Sequence, residues 1–151
     1  MAALKERLRA DLNAAMRARD RVRMRALRMA LTSIANAEVA GASARELSDG
    51  EIMKVLAREV KKRREAAEAF GAAGRGDQAA AELAEGEVLA GYLPAQLSDT
   101  ELADVVAEVI AETGAAGMAA MGQVMKAVTP RVAGRADGAR VAAEVRRRLS
   151  G

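Results

Sequence analysis

The sequence contains no cysteine and no histidine. Their absence excludes disulfides, zinc sites of the usual Cys/His kind, and every triad or activated nucleophile that depends on an imidazole. Tryptophan is missing as well, and Phe70 and Tyr92 are the whole aromatic inventory. Sequence-specific reading of unpaired bases usually needs aromatic platforms, which two rings cannot supply. No apolar run approaches the length of a signal-peptide core or a membrane span. These absences predict a cytoplasmic protein with no metal, no cofactor and no membrane partner, in which any catalysis would rest on carboxylates, Lys, Ser or Tyr.

What is present favours helices. Apolar residues make up 51% of the 151-residue chain, and with so few rings the core must be built from Ala, Leu, Val, Ile and Met. Most of these, like the abundant Arg and Glu, lose little on entering a helix. A charged fraction of 30%, with glycine and proline confined to a few places, argues against disorder and against an all-β fold. The length suits one ordinary domain or two small ones that lean on each other, and the second arrangement is the expectation.

The net charge of +3 conceals a segregation. Residues 1–30 carry nine Lys/Arg against three Asp/Glu, residues 31–76 eight against seven, residues 77–112 none against nine, and residues 113–151 seven against two. Basic ends around an acidic middle can attract a polyanion, or can hold the protein's own parts together.

Leu4, Leu8, Leu12, Ala15 and Met16 recur at helical spacing, and Asp20 offers a cap for a second helix, so the pattern predicts helices over 3–19 and 21–39. The second carries Met24, Leu27, Leu31 and Ile34 on one stripe and Val22 with Met29 nearly opposite, which predicts a helix sandwiched between neighbours. Ser48-Asp-Gly-Glu51 is a capping box opening a third helix that runs to about Ala72, with Ile52, Leu56, Val60, Ala67 and Phe70 as its seam. A fourth helix over 77–92 presents Leu83, Val88, Leu89 and Tyr92 and ends before Pro94. Ser98-Asp-Thr-Glu101 repeats the capping box and opens a fifth helix to Thr113. A sixth carries the Met118, Met121 and Met125 stripe with Val124 and Val128 and closes at Pro130, and Asp137 caps a seventh with Val141, Val145 and Leu149. No segment alternates with a period of two. The expected fold is all-α, a four-helix N-terminal part over 1–95 followed by a three-helix C-terminal domain over 96–151.

Several blocks taken together resemble the GatB/YqeY family in order and spacing. They are Leu27-Arg28-Met29 with Ile34 to Val39, Val60 to Glu65, Phe70 to Arg75, Tyr92-Leu93-Pro94 with Gln96-Leu97-Ser98, and Met121-Gly122-Gln-Val124-Met125 with Gly134 to Gly138. The resemblance spans essentially the whole chain. It implies kinship with the tail of the B subunit of the tRNA-dependent amidotransferases, and a body that leans on the outer corner of tRNA. The label of a carbon–nitrogen ligase with glutamine as amido-N-donor follows by that kinship and does not carry chemistry with it. The sequence departs from the family pattern at Gly86, where a large apolar residue is usual, at Gln123, where Lys is common, and at Lys126, where Gly is common.

Candidate RNA-binding residues follow from charge and from that resemblance. The stretch Thr129 to Gly138 combines Arg131 and Arg135, planar donors suited to phosphate, with Gly134 and Gly138, and it feeds the start of a helix. Its plainer reading is a helix-capping connection. Lys126, Arg146, Arg147 and Arg148 complete the C-terminal set, and Gly122 would admit a close neighbour or a ribose. Secondary basic stripes are Arg21, Arg25 and Arg28 on the second helix and Lys54, Arg58 and Lys61 on the third, each at i, i+4, i+7. Each can follow a phosphate backbone or be a solvated face. Glu59 and Arg63 project into the apolar seam as an ion pair, either a cofactorless acid/base site or a structural bridge. The expectation is a stand-alone module that docks on tRNA by shape and phosphate contacts. The alternatives are an accessory part of an amidotransferase, which would need partner subunits, and a protein–protein scaffold that uses the acidic 77–112 stretch.

Overall fold

The computed structural model describes residues 2–151. Among them the chain forms seven α-helices and one short 3-10 turn, with no strand. It divides into two compact units, one ending at Leu93 and the other spanning Pro94–Gly151.

The first unit holds α1 (Ala3–Ala18), α2 (Arg21–Val39), α3 (Asp49–Ala72) and α4 (Gly76–Ala90). The local chemistry that starts these helices is visible in the hydrogen bonds. Asp20 accepts from the Arg23 backbone N–H at 3.1 Å. Ser48 Oγ accepts from the Glu51 N–H, and the Glu51 carboxylate accepts from the Ser48 N–H, each at 3.2 Å, so the capping box forms as its spacing predicts. The core is aliphatic. Leu8, Leu27, Ile34, Ile52, Leu56 and Leu89 are fully buried, each contributing roughly 1.5–3 kcal/mol relative to exposure. α2 packs on α1, α3 and α4, the sandwiched position expected from its two apolar sides. The apolar pattern over-reads at the margins: Met16, Val22 and Leu83 are 45%, 41% and 49% exposed. On α4 the inward positions beside Leu89 belong to Glu85 and Gly86 instead.

The second unit holds α5 (Asp99–Thr113), α6 (Met121–Val132) and α7 (Gly138–Ser150), each packed on the other two. Ser98 and Glu101 close the second capping box, and Asp137 accepts from the Arg140 N–H at 2.9 Å to cap α7. Val106, Val109, Val124, Val128 and Val145 are the fully buried centre of this core. Two expectations are corrected. The sixth helix begins at Met121, because Gly117 adopts a positive φ of 75° and puts Met118 in a 3-10 turn, where it is 45% exposed rather than part of the core. Pro130 does not close α6, which continues to Val132. The N–H that proline lacks would have bonded the carbonyl of exposed Lys126, which water can serve, and Thr129 Oγ1 donates to the neighbouring Met125 carbonyl at 2.7 Å. No single described helix is long and apolar enough to cross a membrane.

Candidate nucleic-acid interface

The glycine-containing loop after α6 is a clasp. Gly134 has φ 75°, a conformation that favours glycine. That turn aims the Arg135 carbonyl at the Leu97 N–H (2.7 Å) and the Gly134 carbonyl at the Gln96 side-chain amide (3.0 Å). Arg135 Nε donates to the Ala95 carbonyl at 3.3 Å. From α7, Arg140 donates to the Leu97 carbonyl and to Asp99, both at 2.9 Å. Two segments about forty residues apart in sequence, Pro94 to Asp99 and Gly134 to Arg140, are thereby tied together, and the plainer reading of this stretch accounts for its glycine. Gly138 is simply the first residue of α7. No local sequence pattern marks Arg140, because its partners Leu97 and Asp99 lie about forty residues away.

The C-terminal cations divide into two kinds. Arg131 makes a two-pronged pair with Glu112 and lies 3.9 Å from Glu108. The hydrogen bonds to Glu112 hold its guanidinium above the ordinary range. Arg147 grips Glu144 at 3.0 and 2.7 Å, and Arg148 reaches the same carboxylate at 3.3 Å. These bonds, led by that from Arg147, hold Glu144 below the usual carboxylate range against the opposing effect of burial. Lys126 on α6 and Arg146 on α7 are exposed and have no acidic partner among the described residues. Gly122 faces solvent with nothing near its Cα face, so no helix uses the close approach it allows.

In the first unit the stripes fare differently. Arg25 reaches the buried carboxylate of Glu85 at 3.2 Å. Arg21 and Arg28 beside it, and Lys54, Arg58 and Lys61 on α3, are exposed and make no ion pair among the described residues. Glu59 is buried, accepts from Ser33 Oγ at 2.8 Å, and lies 3.6 Å from Lys62 and 3.8 Å from Arg63. Arg63 also reaches Glu82 of α4 at 3.4 Å. The Glu59–Arg63 pair thus bridges three helices. A Cβ at Gly86 would stand 3.3 Å from Arg63 Cβ, so the missing side chain lets α3 and α4 close over this cluster. The sequence points to the Glu59–Arg63 pair; its partners Ser33 and Glu82 and the reason for Gly86 come from tertiary packing.

The family model of the Yqey-like proteins matches residues 5–149. The chain belongs to this family. No curated protein matches it. In this YqeY-like chain the blocks that carried the resemblance include Pro94, Gln96-Leu97-Ser98 and Gly134 to Gly138, which fall in the two halves of the clasp, and within Pro94–Gly151 the structure gives them an architectural task. Among the described residues no group of three or more acidic side chains is arranged to hold a metal ion. What remains available for recognition is charge: exposed cations, some held by surface carboxylates and some by none.

Proposed function

We propose that this YqeY-like chain is a docking module for folded RNA, tRNA in the first instance, that binds by shape and phosphate contacts, with its second unit acting as the counterpart of an amidotransferase tail. The observation that carries the reading is a set of exposed cations that have no acidic partner among the described residues, which includes Lys126 and Arg146 in the second unit and Arg21, Arg28, Lys54, Arg58 and Lys61 in the first. Cations held free of the protein's own acids can neutralise phosphates and release their counterions. Arg131, Arg147 and Arg148 add to this set at low cost. The Arg131–Glu112 pair is exposed, and surface pairs of this kind contribute only about 0–1 kcal/mol; the guanidiniums of Arg147 and Arg148 reach solvent although their shared Glu144 is largely buried, and phosphate can replace carboxylate on the same fork. Arg135 and Gly134 are assigned to the clasp, where they hold the second unit's shape.

A titration of the purified chain with unfractionated tRNA at low and moderate salt tests the proposal. Binding that weakens with salt and weakens further in a Lys126→Gln, Arg146→Gln variant is the expected result; no complex at either salt concentration defeats it. A pull-down with and without ribonuclease separates this reading from a scaffold role, in which the partners persist after the RNA is digested.

A further inference from the structure

The turn between α1 and α2 carries a feature that the stripes do not describe. Residues 16–25 read Met-Arg-Ala-Arg-Asp-Arg-Val-Arg-Met-Arg, five arginines against one acid. That acid, Asp20, is committed to capping α2. Arg17, Arg19, Arg21 and Arg23 are all exposed, and none makes an ion pair among the described residues. Only Arg25, at the far edge, is held by a carboxylate. The backbone between them is fixed. The Asp20 N–H donates to the Ala15 carbonyl at 2.9 Å and the Arg19 N–H to the Met16 carbonyl at 3.2 Å, the paired bonds that close a helix on a left-handed residue.

That left-handed residue is Arg19, with φ 56°, the one described non-glycine residue at positive φ. Glycine is the stable choice at this position of the motif, because a Cβ there crowds the following carbonyl. An arginine at this position costs the fold what glycine would not, and a task for its side chain is a reason to bear that cost. The position places that side chain at the tip of the hairpin, flanked by the last turn of α1 and the first turn of α2.

We infer that this tip is a second phosphate-binding surface, which grips the backbone of a folded RNA through Arg17, Arg19, Arg21 and Arg23. The inference rests on the RNA-docking reading and adds Arg17, Arg19 and Arg23 to the first-unit cations of that reading, gathered with Arg21 at one turn. Arginine forks suit phosphate oxygens, and the backbone that carries these four is already fixed by the turn's own hydrogen bonds. The apolar residues alongside, Met16 and Val22, are only 45% and 41% exposed and isolated, too little to anchor the tip in a lipid surface. An RNA backbone is therefore the occupant the chemistry favours.

The test uses the full chain and unfractionated tRNA, with binding followed by fluorescence anisotropy across a salt series. An Arg17→Gln, Arg19→Gln, Arg21→Gln, Arg23→Gln variant should bind on the order of 100-fold more weakly at low salt, and its salt slope should flatten by roughly 0.7–0.9 for each contact removed. Arg19→Gly alone should raise the melting temperature by a few degrees while weakening binding, a combination that a merely structural role does not produce. If wild-type protein binds and Lys126→Gln, Arg146→Gln weakens it, but both tip variants bind like wild type, the tip proposal is wrong and the docking reading stands. If the wild type binds no tRNA, both are wrong. Tip-dependent binding to phosphatidylserine vesicles without binding to tRNA would reassign the tip to membrane.

Discussion

Replacing Gly86 tests the account of α3 and α4 packing where it departs most from sequence expectation. In an open helix interior, Gly→Ala gains about 1 kcal/mol of helix propensity. Here the new Cβ would stand 3.3 Å from Arg63 Cβ and 3.9 Å from its Cγ. Those atoms lie at the root of the Arg63 side chain, so relief requires the two helices to separate, and α3–α4 is the most extensive helix pair in the unit. Gly86→Ala should therefore show none of the propensity gain. Gly86→Leu, which supplies the large apolar residue the family usually carries there, should lose about 1–3 kcal/mol to overpacking and recover about 1 kcal/mol from propensity. The net loss of about 0–2 kcal/mol corresponds to a fall in melting temperature of up to about 15 °C for a unit of this size. Tyr92 is the only tyrosine and there is no tryptophan, so its fluorescence during urea unfolding reports the first unit alone. A Gly86→Ala protein stabilised by the full propensity gain, or a Gly86→Leu protein more stable than wild type, would refute the reasoning.

Three further expectations concern protons and caps. The carboxyls of Glu38, Glu51, Glu101 and Glu144 are held below their ordinary range, Glu51 down to about 2, first by its bonds to Arg45 and then by the Ser48 N–H. Their folded pKa values lie below the unfolded ones, so this stability is present above pH 4.5 and is lost as pH falls toward 2, which circular dichroism across that range should show as acid unfolding. Tyr92 is pushed up to about 12, chiefly by burial and then by its hydrogen bond to Asp11. Phenolate absorbance should accordingly appear near pH 12 rather than 10, with stability declining between those values, and Asp11→Asn should lower the midpoint without restoring it to 10. Ser48→Ala and Ser98→Ala should each cost about 1 kcal/mol in urea unfolding by removing the hydroxyl that accepts from the N3 amide.

Helix boundaries were legible because their causes are local. The two Ser-x-x-Glu boxes and Asp20 place the starts of α2, α3 and α5, and Gly114 in a left-handed conformation stops α5 at Thr113 as read. The ends were less legible where a turn intervened. Gly117 delayed α6 to Met121, and Pro130 sat in a last turn that solvent could satisfy.

Charge was the least legible layer, because ion pairs are chosen by tertiary proximity. The acidic middle of the chain supplies Glu82 and Glu85 to Arg63 and Arg25 in the first unit, and Asp99 and Glu112 to Arg140 and Arg131 in the second. Much of the apparent polarity is thus spent within each unit. Lys5 is a further case: it is buried and bonds Glu38 at 2.7 and 2.9 Å, while the same carboxylate accepts from the Leu47 N–H. Of the residues selected from sequence for RNA contact, Arg135 and Gly134 hold the clasp, and Arg131, Arg147 and Arg148 are paired on the surface. Lys126 and Arg146 have no acidic partner among the described residues. The α1–α2 tip has no signal of its own in the sequence: Arg21 falls on a helix-face stripe with Arg25 and Arg28, and the positive φ of Arg19 has no sequence signature.

The most direct measurement of the central claim is the salt dependence of the affinity of the full chain for folded tRNA. The account predicts that the logarithm of the binding constant falls linearly with the logarithm of salt concentration, with a slope that flattens by about 1.5 when Lys126 and Arg146 are both changed to Gln. Binding that is indifferent to salt, or a slope unchanged in that variant, would contradict it.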